Sequence, residues 1–535
     1  MKSFAIPRFP VNDSRLKQNY SFLKRFFCNK AKEKPKSKEK WNAVVGLEIH
    51  AQIASKSKLF SGASTEYGKA ANTCVAFFDC ATPGTLPVLN RRCVEAGVLT
   101  ALALSCKVNE ISLFDRKHYF YADLPAGYQI TQQRQPLAID GELKFRVFTP
   151  GVHKEPYLKS SKLKQIQLEQ DSGKSIHDEL SKVSLIDLNR AGVPLMEFVF
   201  EPDLSDGEEA AALVKELMLI LERLNTCSCR MDEGALRVDA NVSINKPDEA
   251  LGIRTEVKNI GSVRAVAAAV NYEIKRQIKA RESGIKITIE TRAWDSVNNK
   301  TVSMRDKEEK QATKLRFFKM QPNLPPLHIH VHEKFENKYN LVDAPSLQKQ
   351  IPEMPEETRE KLATKFSVHK ALILVLVNEP KLLELFTYII KDEKRTPNLV
   401  AKTLVNQLLH FLYKNDLDFN YCTNIRDHLC ELMDLLESGT INLLVFHSVL
   451  GEVLKNPKDF PRQIVERNDW IQITDEAELR KICRDTLNEY PKEVELYKKG
   501  KHKLFRFFMN CIKKSTNEKA NLGHVEKILQ KMLDD

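Results

Sequence analysis

The sequence predicts an α+β protein, in which an antiparallel-sheet cradle domain is followed by an all-α helical domain and a small helical C-terminal tail. Three observations predict it. From residue 41 to about 330, short runs alternate apolar and polar side chains, the period of strands with one covered face. The Pro-rich stretches "QPNLPPLHIH" and "IPEMPEE" then form a joint, and from about 355 onward nearly every segment has helical spacing. Near 456–464, "NPKDFPRQI" marks another boundary. The expected division is a leader at 1–40, the cradle at 41–330, a helical domain at 331–463 and a tail at 464–535. At 535 residues, 42% hydrophobic and 29% charged, the chain has the make-up of a globular protein of two to four domains.

The leader comes first. Residues 1–40 hold twelve Lys/Arg and three acids, which accounts for +9 of the net +12, so the body is nearly neutral. A basic, acid-poor leader with aromatic punctuation ("NYSFLKRFFCNK") reads as a mitochondrial presequence, disordered before cleavage. A basic tail that touches nucleic acid gives the same composition. The longest aliphatic run, Ala371 to Val377, is far short of the roughly 20 residues of a membrane span, so no membrane partner is expected. Eleven cysteines lie without a repeating spacing apart from Cys227 and Cys229, which suits free thiols in a reducing compartment.

In "WNAVVGLEIHAQI" (Trp41 to Ile53), Val45, Leu47, Ile49 and Ile53 take one face of a strand, while Glu48, His50 and Gln52 take the other. A helix follows Asn90. Next, "LKQIQLEQD" places Gln165, Gln167, Glu169 and Asp171 together. A second helix opens with Ser205 and Glu208 at capping-box spacing. "ALRVDANVSI" sets Arg237, Asp239, Asn241 and Ser243 on one side, and "IRTEVKN" does so with Arg254, Glu256 and Lys258. A third helix follows Ser262. An antiparallel sheet with one solvated face gives the same alternation. Solvated faces favour Lys, Glu and Thr, however, whereas these rows carry Asp, Asn, His, Gln and Arg, groups that coordinate hard cations or fork onto phosphates.

Two further clusters share that chemistry. "FDRKHYFYADLPAGYQI" packs Asp115, Arg116, Lys117 and His118 among aromatics, and "DLNRAGVPLMEFVFEPD" holds Arg190, Glu197, Glu201 and Asp203 around a Gly-Val-Pro turn. Carboxylates of this kind suit Mg²⁺ with a nucleotide triphosphate, although an Arg beside an Asp is often only a rim ion pair. No Walker A loop, dinucleotide fingerprint or nucleophile elbow is present; "GASTEYGKA" has one residue too many before Gly68-Lys69 and no hydroxyl after it.

The motifs "VVGLEIHAQI", "SKLFSGAST", "PGTLPVLNRRCVEAG", "FDRKHYFYADLPAGYQIT", "EQDSGKSIHD", "DLNRAGVPLMEFVFEPD", "MDEGALRVDANVSI" and "RTEVKNIGSVRAV" together closely resemble the B-subunit family of glutamyl-tRNA(Gln) amidotransferases. The likeness runs from about Trp41 to the C-terminus, and with the presequence it resembles the mitochondrial form. It implies a ligase that uses ATP and Mg²⁺ to phosphorylate the side chain of Glu on mischarged tRNA(Gln). Ammonia would arrive from an amidase-type A subunit, with a small C subunit clasping the two. By the same resemblance Glu48, His50, Glu169 and Glu197 are the catalytic and Mg²⁺ candidates. Arg116, Lys117, Arg190, Asp239 and Asn241 are candidates for ATP, phosphate or the tRNA terminus, and Lys513, Lys514 and Lys519 for tRNA in the tail; a solvated helix end explains those lysines equally well.

The departures matter too. Bacterial relatives of this family often carry zinc-binding cysteines where Ala63 and Ala76 to Asp79 stand; only the displaced Cys74 and Cys80 remain, so no zinc is expected. The bacterial E-E-D-A-G-K run is "EQDSGK", which leaves Glu169 alone. Two rivals stand beside this reading: a non-catalytic organellar tRNA-binding scaffold, and an ATP-dependent ligase for a free amino acid.

Overall fold

The computed structural model describes residues 41–178, 181–306, 318–516 and 519–534; the expected presequence at 1–40 lies outside the described residues. The chain divides into two compact units between Thr358 and Arg359. Its architecture is α+β with a helical C-terminal half, as the alternation and the later helical spacing predict.

The first unit is built on β1 (Asn42–Gln52), β2 (Lys107–Val108), β3 (Ile111–Ser112), β4 (Asp115–His118), β5 (Tyr128–Thr131), β6 (Ala138–Val147) and β7 (Tyr157–Gln170). These are followed by β8 (Lys174–Asp178), β9 (Val183–Asp187), β10 (Pro194–Phe200), β11 (Leu236–Asn245), β12 (Thr255–Ile260), β13 (Glu290–Asp295) and β14 (Lys300–Asp306). Among the described residues one sheet runs in the order β14-β13-β12-β11-β1-β10-β7-β6-β2. Only β12 and β13 pair in parallel within it. The first strand of the sequence is therefore central.

One face of that sheet is the core. Leu47, Ile49, Ile166, Phe198, Val238 and Val242 are almost wholly buried beneath α1 (Arg91–Ala103), α2 (Gly207–Arg223) and α3 (Val263–Glu282). Burying each such side chain contributes about 1.5–3 kcal/mol, which fixes the register, since a one-residue slip would turn these groups to the wrong side. The opposite face carries the polar rows. Asn90 and Ser262 cap α1 and α3 through their side chains. At α2 the cap is one residue later than expected: Asp206, not Ser205, accepts from the Glu209 N–H at 2.9 Å. Glu209 reaches back to the Ser205 N–H at 2.7 Å. The shift follows from burial, because Glu209 is also tied to Tyr157 and Lys159 of β7.

Residues 331–358 belong with the sheet unit in space: Val342 and Ala344 are buried in its core, and Glu356 pairs with Arg146. The sequence boundary at 330 followed composition, which does not show those contacts. From Arg359 onward the described residues are helical, with a π turn at Leu404–Leu408. Their apolar side chains form one cluster from Leu362 to Val465 and another around Leu479, Phe508, Val525 and Leu529. No helix among the described residues is long and apolar enough to cross a membrane.

Candidate active site

The polar face gathers its groups by register. His50 of β1 lies opposite Glu197 of β10 on one side and Arg237 of β11 on the other, and Glu197 lies opposite Gln167 of β7. Residues paired in this way share a face, so four strands present Arg237, His50, Glu197 and Gln167 in one row. Glu169 stands one step along β7. Among the described residues, His50, Glu169 and Glu197 form the one group of three or more whose ligand atoms could hold a metal ion, all within 4.8 Å of one another. His50 Nε2 is 3.6 Å from Glu197 Oε1 and 4.0 Å from Glu169 Oε1.

The surroundings hold these groups in place. Gln167 donates through Nε2 to Glu197 Oε2 and, at 3.3 Å, to Thr131 Oγ1. Lys117 donates to both oxygens of Glu169 at 3.1 Å, and Gln129 donates to Oε1 at 3.4 Å. Burial raises the Glu169 carboxyl above its ordinary range; Lys117 opposes that, and nearby Glu197 adds to it. Burial also lowers His50 to about 4, against the pull of Glu169 and with the push of Arg237 and Lys117. At neutral pH the imidazole is therefore uncharged and offers a lone pair. Two carboxylates and a neutral imidazole fit a divalent cation, which would relieve the repulsion between the acids.

A cavity of about 520 Å³ opens beside this group, lined by His50, Lys117, Glu169, Arg237, Asp239 and Lys258 among others. Lys258 donates to Asp239 Oδ2 at 2.6 Å and lies 3.2 Å from Glu256 Oε1. Burial opposes the Lys258 charge, but Asp239 and Glu256 outweigh it and hold its pKa above the ordinary lysine value. Arg237 Nη2 pairs with Asp171 at 2.9 Å. The lining thus alternates cations with acids, an arrangement suited to a ligand that brings both metal and phosphate.

The remaining expected residues are spread more widely. Glu48 is on the same face as His50 but outside the three-residue group; its Oε1 accepts from Asn241 Nδ2 at 3.0 Å, and it lies opposite Asp239. Arg190 is held by the Ser172 and Gly173 carbonyls and by Asp171. Arg116 is bound to Gln321 Oε1 at 2.7 Å and lies over the Tyr128 ring, away from the row. Being adjacent to Lys117 on β4, it projects to the other side. In the second unit Lys514 is exposed at the end of a helix with Lys513 half-buried beside it, while Lys519 pairs with Asp469. The sequence reading placed Gln167, Arg237 and Lys258 on the polar rows without assigning them to the site. Gln129 gave no signal, because its role depends on β5 lying against β7.

The loop where zinc cysteines were absent is organised around a carboxylate. Asp79 Oδ2 accepts from Lys58 Nζ at 3.0 Å, Ser61 Oγ at 3.1 Å and the Ala76 N–H at 2.9 Å, and Lys58 also donates to the Leu188 carbonyl at 3.3 Å.

The family model described as "GatB/GatE catalytic domain" matches residues 43–334, and the one described as "GatB domain" matches 384–533. The chain is 51% identical over 518 residues to the B subunit of the mitochondrial glutamyl-tRNA(Gln) amidotransferase of Aedes aegypti, covering 96% of this chain and 97% of that protein. The corresponding protein of Homo sapiens is 44% identical over 506 residues, covering 94% and 90% respectively. The B subunit of the aspartyl/glutamyl-tRNA(Asn/Gln) amidotransferase of Rickettsia typhi is 40% identical over 495 residues, covering 92% and 98%. With both of its halves matched and its polar rows meeting on one sheet face, the chain belongs to the B-subunit family of tRNA amidotransferases.

Proposed function

We propose that this chain is the activating and transamidating subunit of a mitochondrial matrix glutamyl-tRNA(Gln) amidotransferase, working with ATP, Mg²⁺, an amidase-type A subunit and a small C subunit. The observation that carries the reading is the convergence of His50, Glu169 and Glu197 beside a cavity lined by Lys117, Arg237 and Lys258. A carboxylate is a poor acyl donor until one of its oxygens becomes a leaving group. The γ-phosphoryl group of ATP would pass to the glutamyl side chain and release ADP. Ammonia would then attack the carbonyl carbon, inorganic phosphate would depart, and the nitrogen would lose a proton to water, leaving Gln-tRNA(Gln).

His50, Glu169 and Glu197 are the residues that would hold a divalent cation, which when bound would neutralise phosphate oxygens. Gln167 and Lys117 keep the two carboxylates oriented. Arg237 and Lys258, ion-paired with Asp171 and Asp239, supply fixed positive charge beside the reacting phosphates. On this reading Glu48 and Asn241 form a supporting pair one row along.

The test is the amidation of Glu-tRNA(Gln) by the reconstituted complex with ATP, Mg²⁺ and ammonium chloride, without glutamine. Product that is lost in Glu197→Gln while tRNA binding persists supports the reading. A chain that binds tRNA but never consumes ATP would instead be a scaffold, and ATP turnover with free glutamate would point to an amino-acid ligase.

A further inference from the structure

Between β4 and β5 the loop 119–127 holds two adjacent aromatic side chains in the open. Phe120 is 80% exposed and Tyr121 54%. The loop is pinned: the Tyr119 N–H bonds the Gly127 carbonyl at 2.9 Å, Gly127 N–H bonds Leu124 at 2.9 Å, and Gly173 N–H bonds Asp123 at 2.8 Å. Leu124 is buried beneath it, and the Tyr119 hydroxyl donates to Asp123 at 3.3 Å. The Phe120 ring is supported from within the loop. Its centroid is 5.6 Å from that of His118 at an interplanar angle of 29°, and its edge lies near Gly127, where a Cβ would be 3.7 Å away. Tyr119 and Tyr121 pack 4.8 Å apart in the same loop. An aromatic surface fixed in place and left exposed is preorganised for stacking.

Its position narrows what could stack there. His118 and Tyr119 line the cavity beside His50 and Glu169, so Phe120 follows directly on the cavity wall. We infer that Phe120, with Tyr121, stacks the base of the 3′-terminal nucleotide of the aminoacylated RNA, an inference that rests on the function proposed above. The glutamyl group is esterified to the terminal ribose, so when its side-chain carboxylate enters the cavity the base of that same nucleoside must lie at the mouth. The terminal nucleotides of a tRNA are unpaired, and every base offers a π face to an aromatic ring. Exposed Lys174 and half-exposed Arg190 flank Gly173, beside the loop, where the preceding phosphates would run.

The test uses the assembled complex and Glu-tRNA(Gln) carrying 2-aminopurine in place of the terminal adenine. Binding to the wild type should quench the fluorescence, because stacking does so. Phe120→Ala should abolish the quench and raise the KM for the aminoacylated RNA by about tenfold, the effect of losing one base–aromatic stack, with the KM for ATP unchanged. Phe120→Trp should restore both. Three results would overturn the inference: an unaltered quench in Phe120→Ala, a KM effect on ATP alone, or loss of subunit assembly, which would make the loop a protein interface. If the wild type binds the RNA but forms no amide, the proposed function fails, and the quench still decides whether the base stacks on Phe120.

Discussion

Removing Asp79 should destabilise the sheet unit locally and severely. Lys58 is wholly buried, and Asp79 is its ionic partner at 3.0 Å; the Leu188 carbonyl supplies a neutral contact at 3.3 Å. Burial already lowers the Lys58 pKa, with Asp79 resisting that shift. Asp79→Ala would leave an ammonium in the interior without a counter-charge, which costs about 3–5 kcal/mol. Replacing both partners together, Lys58→Met with Asp79→Leu, removes the charge along with its need for a partner and should cost far less. Native-state hydrogen exchange reads this directly at the Lys58 N–H bonded to Ala63 and the Leu59 N–H bonded to Gly192. A loss of about 3 kcal/mol accelerates exchange by about a hundredfold. A change below about threefold in Asp79→Ala, or a double variant worse than either single one, would refute the claim that this ion pair pins the loop. Cys74 and Cys80 are the cysteines left in this loop, and from that departure no zinc is expected; stoichiometric zinc in the purified protein would refute that expectation.

Other outcomes follow from packing and from the supports around the site. Gln167→Ala should lower amidation by about 10–100-fold with little change in melting temperature, because Gln167 orients Glu197 without bearing charge; an unchanged rate would remove it from the site. Gly207→Ala should do the reverse. Its Cβ would lie 2.3 Å from the Ala267 carbonyl oxygen, forcing α2 from α3 at a cost of about 1–3 kcal/mol, to be read by thermal unfolding of the complex.

The period of two in "VVGLEIHAQI" is a local property, and it correctly put Glu48 and His50 on one face and Leu47 and Ile49 on the other. Which rows meet is not local. Glu197 reaches His50 through the pairing of β1 with β10, and Lys117 reaches Glu169 across 52 residues of chain. Arg116 and Lys117 look alike as cations in "FDRKHYFY", yet strand alternation sends them apart, and Arg116 bonds Gln321, 205 residues away. The cap of α2 was misplaced by one residue for the same reason: spacing fits Ser205 and Glu208, but burial of Glu209 against β7 decides in favour of Asp206.

The aim of Lys258 depends on a break in the ladder. Between β11 and β12 the register passes from Ala240↔Val257 to Val238↔Ile260, so Lys258 and Asn259 together stand against Asp239. One residue of this bulge is in a left-handed conformation, Asn259, with φ of 62°. Asn tolerates that region and Gly adopts it freely, whereas a β-branched residue there costs about 1–2 kcal/mol and tends to straighten the strand. A straightened β12 would carry Lys258 away from its 2.6 Å contact with Asp239 and leave two carboxylates, Asp239 in the cavity lining and Glu256, without their cation. Asn259→Gly should therefore keep amidation within about threefold of wild type, while Asn259→Val should approach the loss expected of Lys258→Ala, about 10–100-fold. Equal activity in the Gly and Val variants would show that the bulge does not aim Lys258, and full activity in Lys258→Ala would show that the aim is irrelevant to the reaction.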